Sequence, residues 1–92
     1  MTVRIHTNLA SFTQEEFDAV HKFITAGEPP KGLIFHSSAP IENGWGVIDF
    51  WESRQAYDAA MGRVMEAMEA AGVTPKGPPV VEEFPVYETI KP

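Results

Sequence analysis

The residues of this chain that could do chemistry are few: His6, His21, His36, Asp49, Trp51 and Tyr57 stand out, with Asn8 as a polar neighbour of His6. A histidine oriented by a carboxylate beside an aromatic wall suits acid/base work near neutral pH, where imidazole titrates. His36 and Asp49 are the pair that could form such a unit, because an Asn43-Gly44 step lies between them. Asn-Gly between two apolar runs is the strongest short signal of a hairpin. A two-residue turn there sets Glu42 opposite Trp45, Ser38 opposite Asp49 and His36 opposite Trp51. One face then carries His36, Ser38, Asp49 and Trp51, and the other Leu33, Phe35, Ile48 and Phe50. A one-residue slip would break that grouping, since strand side chains alternate.

Each candidate has a plainer reading. His36 can be a half-buried strand histidine bonded to Ser38 or to backbone. His21 lies on the apolar stripe of a helix and reads first as a satisfied core residue; if a pocket lies between helix and sheet, it points into that pocket. His6 and Asn8 share one face of a strand, either as pocket lining or as solvated or interface groups. Trp51 and Tyr57 can wall a planar ligand or simply pack. Asp49 on an inner strand needs a partner, and His36, Arg4 and Ser38 are available. The three histidines sit on different elements, no H-x-x-x-H pair exists, and the chain has no Cys, so no metal site is expected.

The elements that must position these residues follow from periodicity. Residues 2–9 alternate, with Val3, Ile5, Thr7 and Leu9 on one face, and predict a strand. Thr13 and Glu16 form a capping box, Phe12 and Phe17 occupy the staple positions, and Gly27 with Pro29-Pro30 stops the helix they start. Residues 33–41 and 45–52 are the hairpin strands. Ser53 caps a second helix whose stripe is Tyr57, Met61, Val64, Met65 and Met68, and Gly72 ends it. Gly62 inside that helix suggests close packing there. A Pro/Gly-rich linker, 74–79, leads to a last strand over 80–90. The order is βαββαβ, the ferredoxin-like arrangement: a four-stranded antiparallel sheet, order 4-1-3-2, with two helices. Strands 2 and 4 are its edges, and only they contain proline, Pro40 and Pro85, as edge strands allow.

The chain has 92 residues, enough for one domain, 1–92. Its seven Lys and Arg against 13 Asp and Glu give a net charge of −6, which argues against nucleic acid and anionic membranes as partners. No run approaches the roughly 20 apolar residues of a membrane span, and no signal-peptide pattern is seen. The absence of Cys fits a cytoplasmic setting. A chain this short buries roughly 60–65% of its unfolded surface. Two Trp, six Phe and two Tyr are many aromatics for such a core, and a partner subunit or a ligand would cover the excess.

Gly44-Trp45-Gly46-Val47-Ile48-Asp49-Phe50-Trp51-Glu52-Ser53-Arg54-Gln55-Ala56-Tyr57 resembles the strand-to-helix signature of the dimeric α/β-barrel superfamily, which includes antibiotic biosynthesis monooxygenases, heme-degrading monooxygenases and small polyketide cyclases. His36-Ser37-Ser38-Ala39-Pro40 before Gly-Trp is similar to small members of that group. The resemblance implies a homodimer whose two sheets form a barrel, and a pocket for a hydrophobic, aromatic small molecule between helices and sheet. On that basis His36 and Asp49 are the catalytic candidates, and His21, Trp51, Tyr57, His6 and Asn8 the ligand-binding ones. The activity implied is cofactor-free oxygenation or acid/base cyclisation or isomerisation, with a non-catalytic binding dimer as the alternative. Heme degraders of the superfamily carry a Trp and an iron-ligating His on the second helix, and plant-type cyclases a His late in the chain. Here no Trp or His follows Trp51, so neither mechanism transfers and no cofactor is expected.

Overall fold

The computed structural model describes residues 1–74 and 76–90. Pro75, within the expected linker, and residues 91 and 92 lie outside the described residues. The elements are β1 (Val3–Ala10), α1 (Gln14–Ile24), β2 (Leu33–Ile41), β3 (Gly44–Trp51), α2 (Arg54–Ala71) and β4 (Val80–Pro85). The four strands form one antiparallel sheet in the order β2-β3-β1-β4, which is the expected βαββαβ topology. Pro40 and Pro85 both fall on its edge strands.

Both helices cover the same face. Val3, Ile5 and Trp51 of the sheet form the buried core with Tyr57 and Ala60 of α2, and Ile5 is its most enclosed side chain. α1 lays Phe17 and His21 over the same face farther along, against Trp45 and His36. The capping box at Thr13 forms as expected, with reciprocal hydrogen bonds of 3.1 Å between Thr13 and Glu16. Lys76 adds a 2.6 Å ion pair to Glu16 and a 3.0 Å bond to the Ser11 carbonyl, tying the linker to the start of α1. The Lys76 ammonium holds the Glu16 carboxyl below the usual carboxylate range.

Several expectations are corrected. α1 ends at Ile24, before Gly27; Thr25 is its C-cap, its N–H making the last helical bond to the His21 carbonyl, which the Thr25 hydroxyl also reaches. β4 ends at Pro85 instead of running to residue 90; a proline cannot continue the ladder, and only Val86 N–H still reaches the Thr2 carbonyl. The hairpin turn is Glu42-Asn43, not Asn43-Gly44, so the β2–β3 pairs from Phe35 to Ile41 are displaced by two residues from the expected register. Asn43 takes the left-handed conformation at φ 61°, while Gly44 begins the strand. Gly44 is needed for closeness instead: a Cβ there would sit 2.2 Å from the Leu9 carbonyl oxygen of β1. A shift of two preserves the faces. Leu33 is the exception, because a bulge at Ile34 turns it onto the helix-covered face, where it packs against the core. Gly62 is not a close-packing site: a Cβ there would meet nothing within 4 Å.

Candidate active site

Alternation along β3 places Trp45, Val47, Asp49 and Trp51 on the helix-covered face, with Ile5 of β1 on one side of Asp49 and His36 of β2 on the other. The displaced register thus brings His36 directly opposite Asp49, closer than the diagonal expected from sequence. His36 Nδ1 lies 2.5 Å from Asp49 Oδ1. A carboxylate only accepts, so Nδ1–H donates, and in the neutral imidazole Nε2 keeps its lone pair. The Asp49 carboxylate raises the His36 pKa above its ordinary value, against an opposing push from burial. The Asp49 side chain is 15% exposed and that of His36 31%, so the carboxylate is sheltered while the imidazole edge reaches solvent.

Aromatic rings surround this pair. His21 stacks on His36 with centroids 5.6 Å apart. Phe17, one helical turn before His21, stacks on it at 5.3 Å and on Trp45 at 5.2 Å, and lies nearly parallel to His36 at 6.4 Å. On the other side of Asp49, Trp51 and Tyr57 meet edge to face at 6.0 Å inside the core. Burial pushes the Tyr57 phenol up, which keeps its hydroxyl protonated. The Arg54 guanidinium lies 5.5 Å from the centre of the Tyr57 ring and is held there by Asp58 and Glu83.

Five of the seven residues singled out from the sequence, His36, Asp49, His21, Trp51 and Tyr57, therefore share one face. His6 and Asn8 do not join them. Alternation in β1 puts both on the open face, where they line a depression of about 150 Å³ with Ser37, Ile41, Gly46 and Ile48. His6 there meets the Phe84 ring edge-on at 5.2 Å. Phe17, a staple residue in the sequence reading, is the ring beside His36 and His21 that sequence reasoning missed. The signal for Phe17 was its spacing of four from His21, which puts two rings on one helix face.

No protein-family model matches this sequence, and no curated protein matches it. Solved structures do match. The chain aligns over 99% of its length with all of Rv0793 from Mycobacterium tuberculosis, at TM-score 0.70 and 13% identity. A MhuD variant solved with two manganese protoporphyrin IX molecules per active site aligns over 100% of both chains, at TM-score 0.67 and 20% identity. The ActVA-Orf6 monooxygenase of Streptomyces coelicolor, solved with nanaomycin D, matches over 99% of this chain and 91% of its own, at TM-score 0.56 and 22% identity. This is the antibiotic biosynthesis monooxygenase-like fold. At these identities the likeness is one of fold, and activity has to be argued from the side chains.

Proposed function

We propose that the chain works as one domain, paired with a second copy through the open faces of the two sheets. Each helix-covered face would bind a planar aromatic small molecule on which His36 acts as general base. The observation that carries this reading is the 2.5 Å bond from His36 Nδ1 to the sheltered Asp49 carboxylate. That bond fixes the tautomer, aims Nε2 away from the strand and makes the imidazole more basic, as an aspartate does for histidine in hydrolase triads. Nε2 would remove a proton from an aromatic hydroxyl or an activated carbon. The resulting anion is electron-rich enough to react with O2 without a cofactor, or to close or rearrange a ring. Trp51 and Tyr57 back the site from the core, and His21 is a second polar contact at the rim.

Pairing is supported by what the open face exposes. Phe35 is 60% accessible there, Val80 59%, Ile41 40% and Ile48 39%. Arg4 Nε and His6 Nε2 on that face are buried without hydrogen-bond partners among the described residues. A contiguous apolar face of this kind marks an association site, and a stable pairing would bury on the order of 1,200–2,000 Å² or more. His6 and Asn8 then belong to the pairing surface. The iron-ligating histidine that heme degraders of the superfamily carry on the second helix has no counterpart here, since α2 carries no histidine.

The test is turnover of a panel of hydroxynaphthalenes, followed by oxygen uptake and product analysis. His36→Ala and Asp49→Asn should each lower turnover by about 10²–10⁴, the range of a lost general base. The double variant should be little worse than either single one, because the two residues act as a unit. Melting curves on the same proteins check folding. Turnover that survives His36→Ala would remove His36 as the base, and binding of the probes without any turnover by the wild type would leave a binding protein without chemistry of its own.

A further inference from the structure

The strand registers lay out the open face as a grid. Phe35, Phe50, Arg4 and Phe84 form one row, and Ser37, Ile48, His6 and Glu82 the next. Asn8 and Val80 stand side by side in the row after that. Arg4 and Glu82 are the only Lys, Arg, Asp or Glu residues that the strands place on this face. They sit on neighbouring strands and one row apart, about 8 Å between backbones at the usual strand spacing and rise. They do not pair with each other. The Arg4 guanidinium lies over the Phe84 ring instead, 4.9 Å from its centre. None of the ion pairs among the described residues includes Arg4 or Glu82. One cation and one anion are thus left uncompensated on a face that also exposes Phe35, Ile48 and Val80.

We propose that two copies of the chain pair about a two-fold axis that passes between Arg4 and Glu82, so that Arg4 of each copy meets Glu82 of the other. The inference rests on the reading that copies pair through their open faces, and it supplies the register of that pairing. Symmetry limits the choices. In a two-fold interface one patch serves both copies, so a contact of one residue with another is repeated in reverse. An axis over Arg4 would set guanidinium against guanidinium, and one over Glu82 would set carboxylate against carboxylate, arrangements that an interface avoids. The axis in the plane between the sheets that bisects the line from Arg4 to Glu82 gives two opposite-charge pairs. On the grid this axis runs beside His6 and Ile48, which then face their own counterparts. It also carries Phe35 toward Val80 and Asn8 of the second copy. Phe35 and Val80 are the most exposed apolar side chains that the strands place on this face, at 60% and 59%, and this register covers each with the other. The strands of the two copies cross steeply, as in the orthogonal class of sheet packing.

Sedimentation of Arg4→Glu and Glu82→Arg, each alone and then mixed in equal amounts, tests the register. Each variant alone sets like charges together twice in its dimer. Its dissociation constant should rise at least about tenfold, the low end for coupling between close interfacial charges. In the mixture, both opposite-charge pairs are restored between unlike chains. A mixed dimer should therefore form with a dissociation constant close to that of the wild type, and native mass spectrometry should find it in excess of either homodimer. Rescue by a second chain cannot come from repaired folding within one chain, and melting curves check that each variant is folded. A wild type that sediments as a single chain at micromolar concentration overturns this register and the open-face pairing together. A wild-type dimer that Ile48→Asp dissociates, but that Arg4→Glu leaves unchanged, overturns the register alone. A mixture that associates no better than the separate variants does the same.

Discussion

The two faces of the sheet are built from the same four strands and have opposite characters. Under the helices, Ile5, Trp51 and Tyr57 are closed into a core, and the one carboxylate on an inner strand is matched by an imidazole. On the open side, phenylalanine, isoleucine and valine side chains stand in solvent, and Arg4 Nε and His6 Nε2 lack partners among the described residues. A strand pattern that is polar on alternate residues would have made the open side a solvated surface. Here exposed apolar side chains flank the polar row of Arg4, His6 and Asn8, a mixed composition that an interface shares. In the proposed reading, chemistry and assembly are separated by the thickness of one sheet, so a substitution on either face should leave the other's property intact.

The largest expected effect is on the open face. Ile48 stands near its middle, on β3 between His6 of β1 and Ser37 of β2. Ile48→Asp would bury an unpaired charge in the proposed pairing surface, a cost of several kcal/mol after relaxation. The dissociation constant of the dimer should rise by at least about 100-fold, each tenfold being about 1.4 kcal/mol. Sedimentation velocity should find the wild type near 20 kDa, roughly twice the 10.2 kDa chain, and the variant near one chain. The His36–Asp49 pair should persist in the variant. A wild type that sediments as a single chain at micromolar concentration would remove the interface reading of the open face.

A smaller effect is expected under the helices, and it depends on pH. His36 has its folded-state pKa raised above 6.5 by Asp49. A raised histidine binds its proton more tightly when folded, so its contribution to stability is fully present below about pH 6.5 and is lost as pH rises through the folded pKa. The gap in melting temperature between wild type and Asp49→Asn should therefore be widest near pH 5.5–6 and shrink toward pH 8.5. The imidazole ¹H–¹³C signals of His36 should titrate above the ordinary histidine midpoint in wild type and fall back in Asp49→Asn. A gap that widens toward alkaline pH contradicts the pairing. Ile48→Asp should leave this titration where it is, which is the check that the two faces are independent.

Much of this contrast was legible in the sequence, for a physical reason. Strand periodicity is two, so faces survive a register error of two residues. His36, Asp49 and Trp51 were placed together although the turn sits one residue earlier than Asn-Gly suggests. What sequence could not show was why Gly44 is a glycine. The carbonyl of Leu9 crowds it from another strand, and that is a long-range contact with no local signature. Leu33 was misplaced because a bulge adds a residue that alternation does not register. His6 and Asn8 were grouped with the pocket because alternation within β1 says which residues are alike, not which side the helices take. Phe17 is legible as a staple residue, and its second role comes only from α1 meeting the Trp45 end of β3.

The smallest expected effect lies on neither face and tests which surface does the pairing. Gly62 sits within α2 with open space where a Cβ would be. Glycine in a helix interior costs about 1 kcal/mol relative to alanine, mostly through backbone freedom in the unfolded chain. With no contact to disturb, Gly62→Ala should raise stability by about 0.5–1 kcal/mol in chemical denaturation, with the slope on denaturant unchanged. It should alter neither the dimer dissociation constant nor the His36 titration. If copies instead paired through their helices, an added methyl at this bare position would lie in or beside the interface. Gly62→Ala would then change the dimer constant while Ile48→Asp did not, and the assignment of assembly to the open sheet would have to be reversed.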